Sequence, residues 1–227
     1  MSYLQWSFWI IGLGLQYLVL AALLGGAWKR NLPMVVYLAC LILTTVADIF
    51  AAVTKSNNTR VWYTFFYYAE LARQTTLYIL VISLMLRVIP VGSLRSSLSR
   101  LLIVLAVLFW TASLVIHQQP KIAHWMVPVI RDLSFSSALM TLAVWFILIA
   151  SEKRDTSLLM IVGALGIQMT GDAIVQSLMQ LSSTTSSVGR NLAVLPHFLC
   201  LWVWWKAFHY REPQPVPPSG TVSGLLH

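Results

Sequence analysis

MVVYLACLILTTVADIFAAVT, residues 34–54, decides the class of fold. The run carries one charged side chain, Asp48, and no helix breaker. It matches the roughly 20 apolar residues that an α-helix needs to cross the hydrocarbon core of a bilayer. Reading outward from it, continuous apolar runs and their breakers predict seven helices, near residues 7–27, 34–54, 62–87, 99–117, 129–150, 157–181 and 189–209. Short polar connections separate them: WKRNLP, TKSNNTR, the 90–97 stretch, HQQPKIAHW, SEKRD and SSTTSSVGR. Unbroken runs of this length, without the alternation of strands, disfavour a β-barrel. The expected architecture is an all-α polytopic membrane protein.

The composition agrees. Of the 227 residues, 58% are hydrophobic and 10% charged, and the mean hydropathy is +0.76, whereas soluble domains carry about 25% charged residues. Seven crossings with short loops fill this length and leave no room for a separate soluble catalytic domain. The first apolar stretch lacks a basic leading segment and a small-residue cleavage pattern, so it reads as a retained helix. The formal charge of +8 comes from 15 Lys and Arg against 7 Asp and Glu. Most of those basic residues stand at helix ends, where they report topology rather than nucleic-acid binding. Cys40 and Cys200 both fall inside apolar runs, which argues against a disulfide or a thiolate zinc site.

Loop charge sets the expected orientation. One face carries Lys29, Arg30, Arg87, Arg95, Arg100, Lys153, Arg154, Lys206 and Arg211, and the other carries only Lys55, Arg60, Lys121 and Arg190. The positive-inside rule places the nine-residue face, and with it the C-terminus, in the cytoplasm. An odd number of crossings then puts the N-terminus outside, and a bacterial plasma membrane is the expected location. Residues 210–227, with four prolines and no apolar face, read as a disordered cytoplasmic tail.

An internal echo links the first three helices to the last three. At an offset of 124 residues, Lys29-Arg30-Asn31 falls on Lys153-Arg154-Asp155, and Ala47-Asp48 falls on Gly171-Asp172. A duplication would make the fourth helix the linker of a 3+1+3 plan with parallel repeats. In plan this resembles the small sugar and vitamin transporters built as two triple-helix bundles. The Pro-Gln pair of the PQ-loop group is missing from the first and fifth helices, and the similar run Gln118-Gln119-Pro120 lies in a loop. A retinal lysine would stand mid-way down the last helix, whereas Lys206 is near its end. The third helix ends LMLRV without the acidic-Arg-aromatic triplet of G-protein receptors.

The informative residues are the ionisable ones inside the runs. Asp48 and Asp172 fall about 5–6 Å to the outer side of mid-membrane, Glu70 about 7 Å, and Arg73 and His197 near the centre. Each such charge costs at least about 2.5–3.5 kcal/mol on the insertion scale, so all five are expected to converge on the interior. Glu70 and Arg73 share a helical face and can pair directly. Asp48 and Asp172 have no basic neighbour one turn away. Each must find a partner across the bundle, take up a proton or meet water, or else accept hydrogen bonds from neighbours such as Thr44, Thr45, Gln168 and Thr170. His197 follows Pro196, a combination suited to a kinked gate or a ligand contact. Tyr67, three residues before Glu70, shares its face. Arg131, Asp132 and Arg190 begin the fifth and seventh helices at the outer surface and are candidates for the rim of an entrance.

Several of the ten tryptophans fall at interfaces, as an aromatic belt requires. The histidines are not matched in depth as a haem pair would need, and no phosphate loop, HExxH helix or nucleophile elbow is present. No enzyme activity, cofactor or metal is expected. The leading expectation is an outward-facing polar cavity around Asp48, Glu70, Arg73, Asp172, His197 and Tyr67, transporter-like for a small polar or cationic solute. The alternative is a non-catalytic sensor, or an accessory subunit that docks on a partner membrane protein. A C-terminal green fluorescent protein fusion should fluoresce in bacterial cells, and a C-terminal alkaline phosphatase fusion should be inactive; the reverse would invert the topology.

Overall fold

The computed structural model describes residues 3–26, 28–29, 31–54, 59–89, 95–118, 122–150, 155–181 and 194–209. Every regular element among them is an α-helix: α1 (Tyr3–Leu24), α2 (Leu32–Thr54), α3 (Thr59–Val88), α4 (Arg95–Ile116), α5 (Ile122–Ala150), α6 (Thr156–Leu181) and α7 (Val194–His209). The described parts of α1 to α5 each contain a stretch long and apolar enough to cross a membrane. Arg190, the expected first turn of the last helix and the tail at 210–227 lie outside the described residues.

Local chemistry sets the helix starts. The Asn31 carbonyl accepts the N–H groups of Met34 at 2.9 Å and Val35 at 3.1 Å, opening α2 around Pro33, whose missing donor costs nothing in a first turn. Asp155 opens α6, its Oδ1 accepting the Leu158 N–H at 3.0 Å. α5 differs from the sequence expectation. It begins at Ile122 rather than near 129, with Pro128 inside it. Met126 and Val129 are both fully buried, and that packing outweighs the one hydrogen bond the proline removes. Asp132 therefore stands in the body of α5 and not in a first turn.

Packing closes a ring. α1 touches α2, α2 touches α3, α3 touches α5, α5 touches α6, α6 touches α7, and α7 returns to α1. α4 stays outside, resting on α3 and α5, and exposes Leu101, Val104, Leu108 and Val115 on its remaining surface. A helix apolar on nearly every side suits lipid contact and not water. Apolar side chains also cover the outside of the ring, including Leu43, Phe50, Phe135 and Ile174.

The interior is uneven. Towards the start of α2 and the end of α7 the ring is solid: Leu23, Leu38, Leu80, Leu84, Val144, Leu165 and Trp204 form one core. Trp204 is fully buried, donates from Nε1 to the Ile161 carbonyl at 3.1 Å, and meets Tyr37 edge-on at 6.0 Å between ring centres. Basic side chains mark this end. Arg87 donates to Asn31 Oδ1 at 2.7 Å, and Lys206 lies over the rings of Trp202 and Trp205. The opposite half of the ring holds the polar side chains.

The buried registers of the two halves repeat. At the offset of 124, Met34, Tyr37, Leu38 and Leu41 of α2 fall on Leu158, Ile161, Val162 and Leu165 of α6, and all eight are buried. The first residues of the two helices, Leu32 and Thr156, share that offset. Leu77 and Leu80 of α3 fall on Leu201 and Trp204 of α7, again all buried. α1 and α5 need an offset of 125, which pairs Gln16 with Thr141, Val19 with Val144 and Leu23 with Leu148, six more buried residues.

Replacing Trp204 by Ala should cost about 3–5 kcal/mol, by cavity formation and loss of the buried hydrogen bond. Trp202→Ala, on the exposed side of the same helix, should leave the thermal midpoint in detergent nearly unchanged.

Candidate functional site

Five helices of the ring turn polar side chains into one cavity of about 280 Å³. Gln16 comes from α1, Thr45 and Asp48 from α2, Arg73 from α3, Gln168 and Asp172 from α6, and His197 from α7. Phe8, Trp9, Gly12, Leu41, Val194 and Phe198 complete the wall. Leu41 belongs to the edge of the solid core, and the polar residues of the wall lie beyond it. Larger concavities of about 760 and 840 Å³ occur on the outer flank, but apolar residues such as Leu139 and Ile174, or Leu101 and Leu105, line them. Those grooves suit lipid chains, whereas charged side chains line the smaller cavity.

The two aspartates are placed by helix register. Asp48 is one turn beyond Thr45 and two beyond Leu41 on the inner stripe of α2, and Asp172 one turn beyond Gln168 on α6. Neighbouring hydroxyls do not satisfy them. Thr44 and Thr45 both donate to the Leu41 carbonyl, at 2.9 and 2.8 Å, and Thr170 donates to the Gly166 carbonyl at 2.8 Å. Gln168 Nε2 donates to the Tyr37 hydroxyl at 3.5 Å. Among the described residues neither carboxylate has a hydrogen bond or a salt bridge, and both are half-buried. The nearby hydroxyls and amide are thus committed elsewhere.

Arg73 is the cation of the cavity. Its Nη2 donates to Glu70 Oε1 at 2.5 Å, along its own helix. Glu70 does not line the cavity, whereas Arg73 does and is close enough to Asp48 and Asp172 for electrostatic attraction. Counting Glu70, three carboxylates surround one guanidinium.

Gln16 ties three helices together. Its Nε2 donates to Thr45 Oγ1 at 3.3 Å and lies 3.4 Å from His197 Nε2, which accepts in that arrangement. Gln16 is 2% exposed, and its Oε1 has no partner. A buried amide oxygen left unpaired at a cavity wall is costly unless something bound there donates to it. Sequence reading passed over Gln16 because it sought ionisable groups. The available signal was the spacing of Gly12 and Gln16, one turn apart on one face of an otherwise apolar helix.

Close backbone approach shapes the wall. A Cβ on Gly171 would fall on the Pro196 ring, so α6 and α7 touch beside Asp172 and His197. A Cβ on Gly12 would sit 3.1 Å from the Phe198 ring, and Phe198 meets Phe8 edge-on at 6.2 Å. Pro196 is the third residue of α7 as described; the segment where its kink was expected lies outside the described residues.

The other expected residues stand elsewhere. Tyr67 is half-buried against Phe66 and is not part of the cavity wall. Asp132 accepts from Ser113 Oγ at 2.9 Å, contacts His117 Nε2 at 2.9 Å, and has Arg131 at 3.9 Å. This cluster fastens α4 to α5 outside the ring, away from the cavity. Arg190 lies outside the described residues.

No known protein family, no curated protein and no solved structure matches this chain. The geometry alone carries the functional reading.

Gly171→Ala should cost about 1–3 kcal/mol by forcing α6 from α7. Gly14→Ala and Gly166→Ala, whose added methyl groups meet nothing within 4 Å, should be neutral or slightly stabilising in the same melting assay.

Proposed function

We propose that the chain is a small membrane carrier whose cavity binds a small polar or cationic solute, with Asp48 and Asp172 as the principal contacts. The carrying observation is that these two aspartates, from matching positions of α2 and α6, line one cavity without committed partners. Two unpaired carboxylates in a low-dielectric space favour a cation. Gln16, Gln168 and His197 add neutral donors and acceptors, which suits a ligand with a polar group besides its charge. On this reading Tyr67, Arg131, Asp132 and Arg190 are not ligand contacts.

The topology belongs to the same reading: seven crossings, an outward N-terminus, a cytoplasmic C-terminus and a cavity that opens outward. The end rich in Lys29, Arg87 and Lys206 is then cytoplasmic and the solid core is the inner barrier. The order of contacts around the ring maps onto itself when α1, α2 and α3 are exchanged for α5, α6 and α7. Together with the repeated buried registers, that supports two parallel three-helix units joined by α4. Rocking of such units about a shared site is a general route to alternating access.

The second reading is a sensor or accessory subunit. It draws on the apolar groove of about 840 Å³ between α3, α4 and α5, which a partner helix would fill as readily as lipid. A bacterial plasma membrane suits either reading.

Purified protein in lipid nanodiscs, titrated with a panel of small ammonium compounds, tests the first reading. Asp48→Asn and Asp172→Asn should each weaken binding about tenfold or more and leave the melting temperature near that of the parent. Loss of folding in both variants, with no ammonium ligand bound by the parent, would assign the aspartates to structure.

A further inference from the structure

We infer that the cavity takes a linear aliphatic diamine, with one ammonium at Asp48, the other at Asp172 and the methylene chain between them. The inference rests on the cation-binding reading above and adds how many charges the ligand carries and how they are arranged.

Charge balance is the first support. Asp48, Arg73 and Asp172 are the charged side chains of the cavity wall. Arg73 is bonded to Glu70 and that pair cancels, whereas neither aspartate has a hydrogen bond or a salt bridge among the described residues. His197 adds no charge. The single hydrogen of the Thr45 hydroxyl goes to the Leu41 carbonyl, so Thr45 Oγ1 accepts, and the Gln16 group that faces it is the amide NH2. The same NH2 faces His197 Nε2, which then holds a lone pair; the imidazole is neutral, with its proton on Nδ1. Two negative charges are left over, and a dication is the ligand that leaves none uncompensated.

The ring supplies the arrangement. Its helices follow the order α1, α2, α3, α5, α6, α7, so α2 and α6 are opposite members, and Asp48 and Asp172 enter the cavity from opposite sides. Carboxylates so placed suit two linked ammonium groups better than one shared cation. No set of three or more metal-binding side chains forms among the described residues. Phe8, Leu41 and Phe198 offer apolar wall for a methylene chain. Gln16 selects the kind of ammonium. It is 2% exposed, and the orientation that Thr45 imposes leaves its Oε1 without a partner in the same wall. An open acceptor there calls for an N–H donor, which a primary ammonium has and a quaternary one lacks.

Isothermal titration in phosphatidylcholine nanodiscs at about pH 7.5, where alkylamines are protonated, tests this. Putrescine and cadaverine are compared with pentylamine and hexylamine, in which a methyl group replaces one ammonium. γ-Aminobutyrate, with a carboxylate at that end, is the zwitterionic control. At least one diamine should bind the parent about tenfold or more tighter than its monoamine isostere, and the zwitterion should bind more weakly than either. In Asp48→Asn and in Asp172→Asn the diamine should fall to within about twofold of the monoamine, because one ammonium has lost its carboxylate. Should either variant fail to fold, the ratio of diamine to monoamine affinity in the parent decides by itself. Monoamines that bind as tightly as their diamines, or a diamine advantage that survives in both folded variants, overturn this inference and leave the carrier reading standing. Tighter binding of γ-aminobutyrate than of putrescine does the same. Absence of binding by every amine to the folded parent overturns both.

Discussion

The cost of placing charge in hydrocarbon governs the architecture. Each ionised side chain facing lipid would cost at least about 2.5–3.5 kcal/mol, comparable to what burial of a large apolar side chain returns. Asp48, Arg73, Asp172 and His197 consequently share one cavity, reached from four helices. Glu70 stays beside Arg73. The helices are arranged accordingly: five of the six in the ring contribute polar side chains to that space, and α4, with apolar residues on nearly all sides, is left outside.

Within that constraint the ring divides its labour along its length. One half is filled by Leu38, Leu80, Leu165 and Trp204 and holds the helices at fixed spacing. The other half holds the cavity, walled by polar side chains together with Phe8, Trp9 and Phe198. Tyr37 and Gln168 mark the boundary, joined by a hydrogen bond at the level where the core gives way to the cavity. The close approach of Gly171 to Pro196 shows how the hollow half stays shaped without bulk: backbone contact substitutes for packed side chains.

Much of this was legible in the residues. Continuous apolar runs marked an all-α fold with several helices long enough to cross a membrane, and the bilayer cost of charge drew attention to Asp48, Arg73, Asp172 and His197, which line the cavity. Other features depend on three-dimensional neighbours. The fifth helix was expected from about residue 129, and only the burial of Met126 and Val129 on either side of Pro128 explains why α5 begins earlier. Asp132 looked like a surface residue until that extension placed it against Ser113 and His117 of α4. Tyr67 shares a nominal face with Glu70 but packs on Phe66, since several aromatic side chains compete for the same helix surface. Gln16 is uncharged, so no rule about burying ions pointed to it.

The contact between α1 and α7 that closes the ring joins the first helix described to the last. Asp48 leaves the ribosome long before Asp172 and His197 exist, so during synthesis half of the cavity lacks its opposite wall. Glu70 and Arg73 reach the bilayer as a self-neutralised unit on a single helix, which lets α3 insert without waiting for a later span. Asp48 gains that guanidinium as an early neighbour through the α2–α3 contact. The spacing of Glu70 and Arg73 thus serves assembly of the nascent chain as well as the finished protein.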